Sequence, residues 1–226
     1  MGNDAEKQLA ARASLKYVHD GQIVGLGTGS TATMAIRLIG ERVRAGLKIR
    51  GIPTSIASRD LATELGIPLT SFDEVQQIDV TIDGADEFDP ALNLIKGGGG
   101  AMLREKIVAS ASRQLVIVTD SSKQVAMLGK FPVPVEVITF AEPLLAKRIT
   151  DLGARVVQRR DGSGKPYVTD EGHHILDCHF GQIPDPPALA CELSEMPGVV
   201  EHGLFVGMTS VVVLAKAGEV KEFRRA

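Results

Sequence analysis

Short apolar segments alternate with helical segments over roughly the first half of this 226-residue chain. Each apolar segment has the length of a buried strand, and each is preceded or followed by a segment with helical spacing. Strands that alternate with helices predict a parallel, doubly wound sheet in an α/β, Rossmann-like domain. The predicted strands are 21–27, 48–53, 78–82 and 114–118, and the predicted helices are 4–19, 30–43, 54–65 and 101–112.

The loops that follow the predicted strands are rich in glycine and polar residues. They are 25–31, 53–55, 83–87 and 119–123. In an open α/β sheet, ligands bind outside the carboxyl ends of the strands, so these loops are expected along one edge of the sheet. The sequence therefore predicts a binding site at that edge.

The first of these loops, GLGTGST at 25–31, lies between a predicted strand and a predicted helix. Backbone N–H groups at a helix N-terminus hold phosphate, and a Ser or Thr is available here to cap the helix. A dinucleotide fingerprint would need glycine at position 30, and a Walker loop would need Gly-Lys-Ser/Thr. A simple tight turn is the remaining alternative. We interpret the loop as a monophosphate site formed by Thr28, Gly29, Ser30 and Thr31.

A second cluster combines DGADE at 83–87 with KGGGG at 96–100. Consecutive glycines indicate a tight turn or a close approach of the backbone to a ligand. Carboxylates beside a lysine are the components of proton-transfer sites. An isolated acidic turn would more simply be solvated surface. Because Asp83 directly ends an apolar strand and Lys96 follows shortly, the sequence favours a functional site that includes Asp83, Asp86 and Lys96.

Glu105 lies in the charged segment LREK at 103–106, which on a helix is typically solvent-facing. Helical spacing, however, places Ala101, Glu105 and Val108 on one face, with the carboxylate one turn from a helix start that follows the glycines. Lys123 follows a predicted strand at the binding edge. Its position is consistent either with contact to the ligand or with a place on the surface. Lys7, in the first helix, is a further candidate.

The pattern changes after residue 130. The predicted elements over 131–206 are, in order, a strand at 133–138, a helix at 141–152, strands at 154–158 and 167–178, a helix at 187–196 and a strand at 199–205. This is the ferredoxin-like order. We therefore predict a Rossmann-like domain of residues 1–130 and 207–226, with an inserted smaller ferredoxin-like α+β domain of residues 131–206.

A net charge of −3 gives no general attraction to nucleic acid or to an anionic membrane. The N-terminus lacks the apolar stretch of a signal peptide, and Cys178 and Cys191 form no CxxC pair, so a cytoplasmic protein is predicted. Three histidines, at 173, 174 and 179, fall on a predicted strand without the spacing of metal ligands. No metal site is predicted.

These motifs together resemble the type A ribose-5-phosphate isomerase family, and the resemblance covers nearly the whole chain. The matching segments are GLGTGST (25–31), PTS (53–55), DGADE (83–87), KGGGG (96–100), LREK (103–106), DSSK (120–123), PVEV (134–137) and EHGLF (201–205). One segment departs from the family, since Glu171, His173 and His174 stand where asparagines are common.

The resemblance implies reversible isomerisation of ribose 5-phosphate and ribulose 5-phosphate through an enediolate, without a metal or organic cofactor. It also implies a homodimer or a dimer of dimers that binds a pentose 5-phosphate, with Glu105 as proton acceptor and Asp83, Asp86 and Lys96 as further catalytic residues. The implied substrate-binding residues are Lys7, Thr28, Gly29, Ser30, Thr31, Asp83, Gly84, Ala85, Asp86, Lys96, Gly97, Gly98, Gly99 and Lys123.

Two other functions fit the same motifs. A non-catalytic sugar-phosphate sensor would use the phosphate loop alone, although no basic recognition helix accompanies it. An acyl transferase of similar topology would use Glu105 as a nucleophile. An assay with ribose 5-phosphate separates these alternatives.

Overall fold

The structure, a computed structural model, describes residues 4–225. The first three residues, which belong to the segment used to predict that no targeting signal is present, lie outside the described part. The chain divides into unit 1, which comprises Met1–Ala85, Arg104–Lys123 and Met208–Ala226, and unit 2, which comprises Asp86–Leu103 and Gln124–Gly207.

The helices and strands follow one another along the whole described chain. The helices are α1 Asp4–Ser14, α2 Ser30–Arg44, α3 Ile56–Glu64, α4 Met102–Ser110, α5 Glu142–Asp151 and α6 Pro186–Ser194. The strands are β1 Ile23–Leu26, β2 Arg50–Pro53, β3 Val80–Asp83, β4 Glu87–Phe88, β5 Leu94–Ile95, β6 Leu115–Asp120, β7 Val133–Val137, β8 Arg155–Gln158, β9 His174–His179, β10 Val199–His202, β11 Leu204–Phe205, β12 Val211–Lys216 and β13 Glu219–Arg224.

Unit 1 contains the predicted parallel sheet. Its strand order is β13-β12-β6-β3-β1-β2, and all neighbouring pairs are parallel except β12 with β13. The strand β13 was not predicted, because its residues are mostly charged and it pairs only at the sheet edge. The α/β fold with a parallel sheet and additional antiparallel sheets is thus confirmed.

The core of unit 1 lies between this sheet and its helices. Every residue of β6 is buried, which is typical of a strand covered on both faces. Apolar side chains of β1, including Val24 and Leu26, pack in one cluster with Ala35 and Ile39 of α2. The buried strands hold their carboxyl-end loops in fixed positions, which is what a binding site at that edge requires.

Unit 2 contains an antiparallel sheet of order β10-β7-β9-β8. With α5 after β7 and α6 after β9, this is the predicted ferredoxin-like arrangement. Leu145 of α5 and Leu193 of α6 pack in one core cluster with Val135 and Leu176 of the sheet.

A second, three-stranded sheet of unit 2 has the order β11-β5-β4. It joins residues 87–95 to 204–205, and so residues 86–103 and 124–130 belong to unit 2 although the sequence prediction assigned them to the Rossmann-like domain. The strands β4 and β5 were not predicted because each is only two residues long.

Two strand predictions in unit 2 were wrong in extent. The strand predicted from Tyr167 begins at His174, because residues 160–174 form a hairpin extension with isolated bridges. The strand predicted over 199–205 is divided at Gly203 into β10 and β11, which belong to different sheets. Gly203 N–H donates to Pro134 O at 2.7 Å, and a Cβ at this position would lie 2.3 Å from Lys96 O.

Candidate active site

The predicted phosphate loop lies where the strand order of the parallel sheet reverses. Strand β1 pairs with β2 on one side and with β3 on the other, so the ends of β1 and β3 lie side by side at the topological switch point. This is the position at which doubly wound sheets bind their ligands. The loop after β1 and Asp83 at the end of β3 are therefore neighbours in unit 1.

Asp83 is 1% exposed, and its Oδ1 accepts hydrogen bonds from Thr28 N–H at 3.0 Å and Gly84 N–H at 2.7 Å. Gly27 allows the two strand ends to approach this closely, since a Cβ there would lie 2.3 Å from Asp83 Oδ1. The structure thus brings together two sequence motifs, GLGTGST and DGADE, through backbone-to-carboxylate contacts. Gly84 and Ala85, which follow Asp83, are half-buried.

The phosphate loop turns at Gly29, whose φ is 100°, and α2 begins at Ser30. Gly29 occupies the N-cap position without a side-chain cap, so the expectation that Ser or Thr caps this helix was wrong. A residue with positive φ is needed here, and glycine adopts it at the lowest cost. Gly29 and Ser30 are exposed, whereas Thr31 is buried in the first turn. The exposed N-terminus of α2 suits an anion, because the first N–H groups of an α-helix have no partner within the helix and the helix dipole is positive there.

Thr28 directs its hydroxyl into a cluster of hydroxyl groups. Its Oγ1 lies 2.7 Å from Thr54 Oγ1, 2.8 Å from Ser55 Oγ and 3.2 Å from Ser58 Oγ. Ser58 in turn donates to Gly27 O at 2.6 Å. This hydroxyl cluster fixes the loop after β1 to the loop after β2 and to α3. The sequence prediction included PTS at 53–55 among the edge loops but gave no role to Ser58.

Glu105 lies in the first turn of α4 and is 4% exposed. The predicted buried face of α4 is confirmed, because Val108, one turn further on, is also buried. The amide dipoles of a first helical turn stabilise a carboxylate there. A buried carboxylate in this position is suited to exchange a proton with a bound molecule, since water does not compete for it.

The two lysine candidates of unit 1 are both partly buried. Lys123 ends a 3-10 turn, Ser121–Lys123, directly after β6. Lys7 on α1 pairs with Asp4 at 3.2 Å, and its side chain is 14% exposed. Glu6, which precedes Lys7 on α1, holds the start of the 3-10 turn, because its carboxylate accepts Ser121 N–H at 2.9 Å and Ser121 Oγ–H at 2.7 Å.

In unit 2, Lys96 follows β5 and is 2% exposed. Its Nζ lies 5.4 Å from the centroid of the Phe205 ring, within the range of a cation–π interaction. The backbone N–H of Lys96 donates to Gly203 O at 2.9 Å. Sequence reasoning gave Phe205 no role of its own, because it is a lone aromatic residue in an apolar strand and carries no distinguishing signal.

Asp86 contacts the glycine loop, which we define as residues 97–100. Its Oδ2 accepts Gly98 N–H at 2.7 Å. Gly98 and Gly99 are exposed, and Gly97 is buried with a φ of 98°. The structure thus brings Asp86 and Gly98 together.

Glu87, the last residue of DGADE, has a structural role. Its carboxylate accepts Gly129 N–H at 2.8 Å and Phe131 N–H at 2.6 Å within unit 2.

The histidines of the segment that departs from the family also have structural partners. His173 Nδ1 lies 3.0 Å from Glu136 Oε1, and His174 Nδ1 lies 2.5 Å from Glu142 Oε2. Burial raises the pKa of Glu136.

Among residues 4–225, no group of three or more His, Cys, Asp or Glu side chains is placed to hold a metal ion. Over the same range, no helix is long and apolar enough to cross a membrane.

The site combines a phosphate-type loop, a buried carboxylate beside it at the switch point and a buried glutamate on α4. This combination is typical of α/β enzymes that act on small anionic substrates. Comparison with known proteins gives the family. The family model of ribose 5-phosphate isomerase A (phosphoriboisomerase A) matches residues 50–219 of this chain. The chain belongs to this family.

Individual relatives agree. Ribose-5-phosphate isomerase A of Nitrobacter hamburgensis is 52% identical, with 98% of each chain covered. The solved structure of ribose 5-phosphate isomerase A from Methanocaldococcus jannaschii matches with a TM-score of 0.94 and 41% identity, covering 98% of this chain and 99% of that one. A D-ribose-5-phosphate isomerase in complex with phospho-erythronic acid matches with a TM-score of 0.96 and 39% identity, and both chains are covered completely.

Proposed function

We propose that Glu105 is the proton acceptor in the reversible isomerisation of ribose 5-phosphate and ribulose 5-phosphate. The isomerase activity itself follows from membership of the family. The observation that carries the proposal is a buried carboxylate in the first turn of α4, within the unit that also holds the phosphate-type loop and Asp83.

The reaction moves one carbon-bound proton and one hydroxyl proton. Glu105 removes the proton from C2 of the open-chain aldose, which leaves a cis-enediolate. The same carboxylate returns the proton to C1, while a hydroxyl proton moves from O2 to O1. One base on one face of a planar intermediate is sufficient for both transfers. Asp83 handles the hydroxyl protons and assists ring opening, and Asp86 is proposed to support it.

The phosphate group binds at the N-terminus of α2. Ser30 and Thr31 donate there together with the backbone of Gly29, while Thr28 holds the loop through the hydroxyl cluster. Lys123 and Lys7 add positive charge. Holding the remote phosphate fixes the sugar so that its C2 proton meets the base, which is a large part of catalytic advantage.

Lys96 and the glycine loop stabilise the negative charge that develops on the enediolate oxygens. Fixed donors aimed at a developing oxyanion contribute about 3–4 kcal/mol each in other enzymes. Support for this role is the burial of Lys96 and its fixed position against Phe205. Gly84, Ala85, Gly97, Gly98 and Gly99 are proposed to line the substrate.

Glu105→Gln tests the proposal. The amide keeps the shape of the side chain but accepts no proton, so we expect loss of nearly all turnover with retained binding of ribose 5-phosphate. Glu64→Gln, on the exposed end of α3, is the matched control and should behave as the parent. Near-normal turnover in Glu105→Gln would remove Glu105 from this role.

Binding measurements separate the phosphate site from the chemistry. We expect the parent protein to bind ribose 5-phosphate far more tightly than ribose, and Thr31→Ala mainly to weaken binding. Equal affinity for the two sugars would contradict a phosphate site at α2. Running the turnover assay with a chelator tests the prediction that no metal is required.

A homodimer or dimer of dimers in the cytoplasm completes the proposal. The resemblance supports this assembly, as do the exposed apolar side chains of Ile138, Phe140 and Leu144 in unit 2, of which Phe140 is 94% exposed. Sedimentation analysis measures the assembly, and a monomer at every concentration would contradict it. Cell fractionation measures the location.

A further inference from the structure

Arg159 of unit 2 lies immediately after β8 and contacts the glycine loop. Its Nη1 donates to Gly97 O at 2.8 Å and to Gly98 O at 3.3 Å. We propose that Arg159 is a positioning residue for the isomerase reaction, because it sets the orientation of the peptide groups that follow Lys96. This inference rests on the proposed role of the glycine loop in stabilising the enediolate.

The guanidinium of Arg159 is itself held from the opposite edge. Its Nε and Nη2 donate to the two carboxylate oxygens of Asp177, at 3.0 Å and 2.5 Å. The two side chains are 13% and 19% exposed. A bidentate pair of this kind fixes the plane of the guanidinium, which leaves Nη1 in a defined direction.

The antiparallel pair β8–β9 explains why these two residues meet. Val157 pairs with Asp177, and Arg159 N–H donates to Ile175 O at 2.8 Å, so Arg159 continues the ladder two residues beyond Val157. Side chains two residues apart along a strand share a face, and diagonal neighbours across a ladder are within reach of long side chains. The sheet therefore supplies the geometry of the pair.

Arg159 fixes the N–H groups of the glycine loop through the geometry of the peptide bond. In a trans peptide, the C=O of one residue and the N–H of the next point in opposite directions. Arg159 holds Gly97 O, and Gly98 N–H points away from it to Asp86 Oδ2 at 2.7 Å. Arg159 also holds Gly98 O, so Gly99 N–H is directed away from the guanidinium as well.

Tyr167 closes the other end of the glycine loop. Its N–H donates to Arg159 O at 2.9 Å, and the guanidinium carbon lies 6.0 Å from the centroid of its ring. A Cβ at Gly100 would lie 2.2 Å from the Tyr167 hydroxyl oxygen. The loop is therefore confined by Arg159 and Tyr167 on one side and by Asp86 on the other. Without the arginine, its many-glycine backbone would sample other orientations.

Arg159→Met, Arg159→Lys and Asp177→Asn test the proposal, with Arg160→Met as the matched control. Arg160 is the adjacent exposed arginine, and its Nη1 donates to Gly164 O within the hairpin turn, at 2.7 Å, rather than to the glycine loop. We expect kcat of Arg159→Met to fall about 10- to 100-fold with KM for ribose 5-phosphate changed less than about threefold. We expect Asp177→Asn to lower kcat in the same direction and Arg160→Met to match the parent.

Arg159→Lys distinguishes positioning from a structural role. A lysine keeps the positive charge, so we expect the thermal midpoint of Arg159→Lys to be closer to that of the parent than the midpoint of Arg159→Met is. A lysine lacks the planar fork that holds Asp177 and two carbonyls at once, so kcat should stay low. Hydrogen exchange in a peptide that covers 96–101 should be faster in both Arg159 variants than in the parent. If Arg159→Met does not fold, Arg159→Lys provides the same comparison.

The proposal is overturned if kcat of the Arg159 variants stays within about twofold of the parent, if lysine restores kcat together with stability, or if Arg160→Met loses as much activity. The proposed function is tested by different measurements. It would be contradicted by a parent enzyme without isomerase activity or by an active Glu105→Gln variant, whatever the Arg159 variants do.

Discussion

The Asp83 carboxylate holds the backbone of Thr28 through a 3.0 Å hydrogen bond across the switch point of the sheet. The same oxygen accepts Gly84 N–H at 2.7 Å, so one atom orders both the loop after β1 and the turn after β3. Asp83 thus has two roles, and a single substitution that removes both would not show which one matters. It shapes the phosphate loop as an acceptor, and it is proposed to act on hydroxyl protons as a charged group.

Asp83→Asn and Asp83→Ala separate these roles. The asparagine oxygen still accepts the two N–H groups, so we expect turnover to fall while the affinity for ribose 5-phosphate stays near the parent value. Alanine leaves two backbone donors without their acceptor, which costs about 1–3 kcal/mol when they are buried, and should weaken affinity as well. Calorimetric titration and a coupled turnover assay measure both. Equal affinities for the two variants would show that the contact to Thr28 does not shape the loop.

Gly27→Ala tests the close approach of the two strand ends. The new Cβ would lie 2.3 Å from Asp83 Oδ1 and 2.5 Å from Ile82 O, and a strand backbone cannot move as a flexible side chain can. Overpacking at a fixed position costs about 1–3 kcal/mol of unfolding free energy, and displacing Asp83 should also lower turnover. Chemical denaturation measures the first quantity.

Gly162→Ala is the control for this substitution, because a Cβ there meets nothing within 4 Å and no positive φ is involved. It should leave both stability and turnover unchanged. A Gly27→Ala protein as stable and active as this control would contradict the packing argument.

The alternation of strands and helices allowed the parallel sheet and its binding edge to be predicted, because buried parallel strands are continuous apolar runs. GLGTGST and DGADE could be located at this edge, but the bond from Thr28 to Asp83 could not, since it depends on the order β2-β1-β3 in the sheet. The burial of Glu105 was predictable from helical spacing.

Other contacts had no local sequence signal. Ser58 joins the hydroxyl cluster only because α3 begins beside β1, and Arg159 reaches Gly97 only because β8 pairs with β9. Glu87 lies in the same acidic motif as Asp83 and Asp86, and its carboxylate binds two backbone N–H groups of residues more than forty positions away. Long-range pairing thus gives a member of a charged motif a structural role that the motif alone does not indicate.

Glu6 provides a prediction about pH that is independent of the chemistry. It is 8% exposed, and its carboxylate accepts hydrogen bonds from Ala217 N–H at 3.0 Å and from Ser121 N–H and Oγ–H. The hydrogen bond from Ala217, followed by those from Ser121, lowers the pKa of Glu6 below the usual 4.5. A lowered folded-state pKa means that the ionised group stabilises the fold above the unfolded pKa, and that this contribution is lost as the pH falls through the folded value.

We therefore expect Glu6→Gln to lower the thermal midpoint at neutral pH, because an amide nitrogen would face one of the backbone donors. The difference from the parent should narrow as the pH falls below 4.5, where the parent carboxylate takes up its proton. Thermal melts over a range of pH measure this difference, with Glu41→Gln on the exposed face of α2 as the control. A difference that stays constant from neutral to acid pH would show that the charge of Glu6 does not contribute to the stability of unit 1.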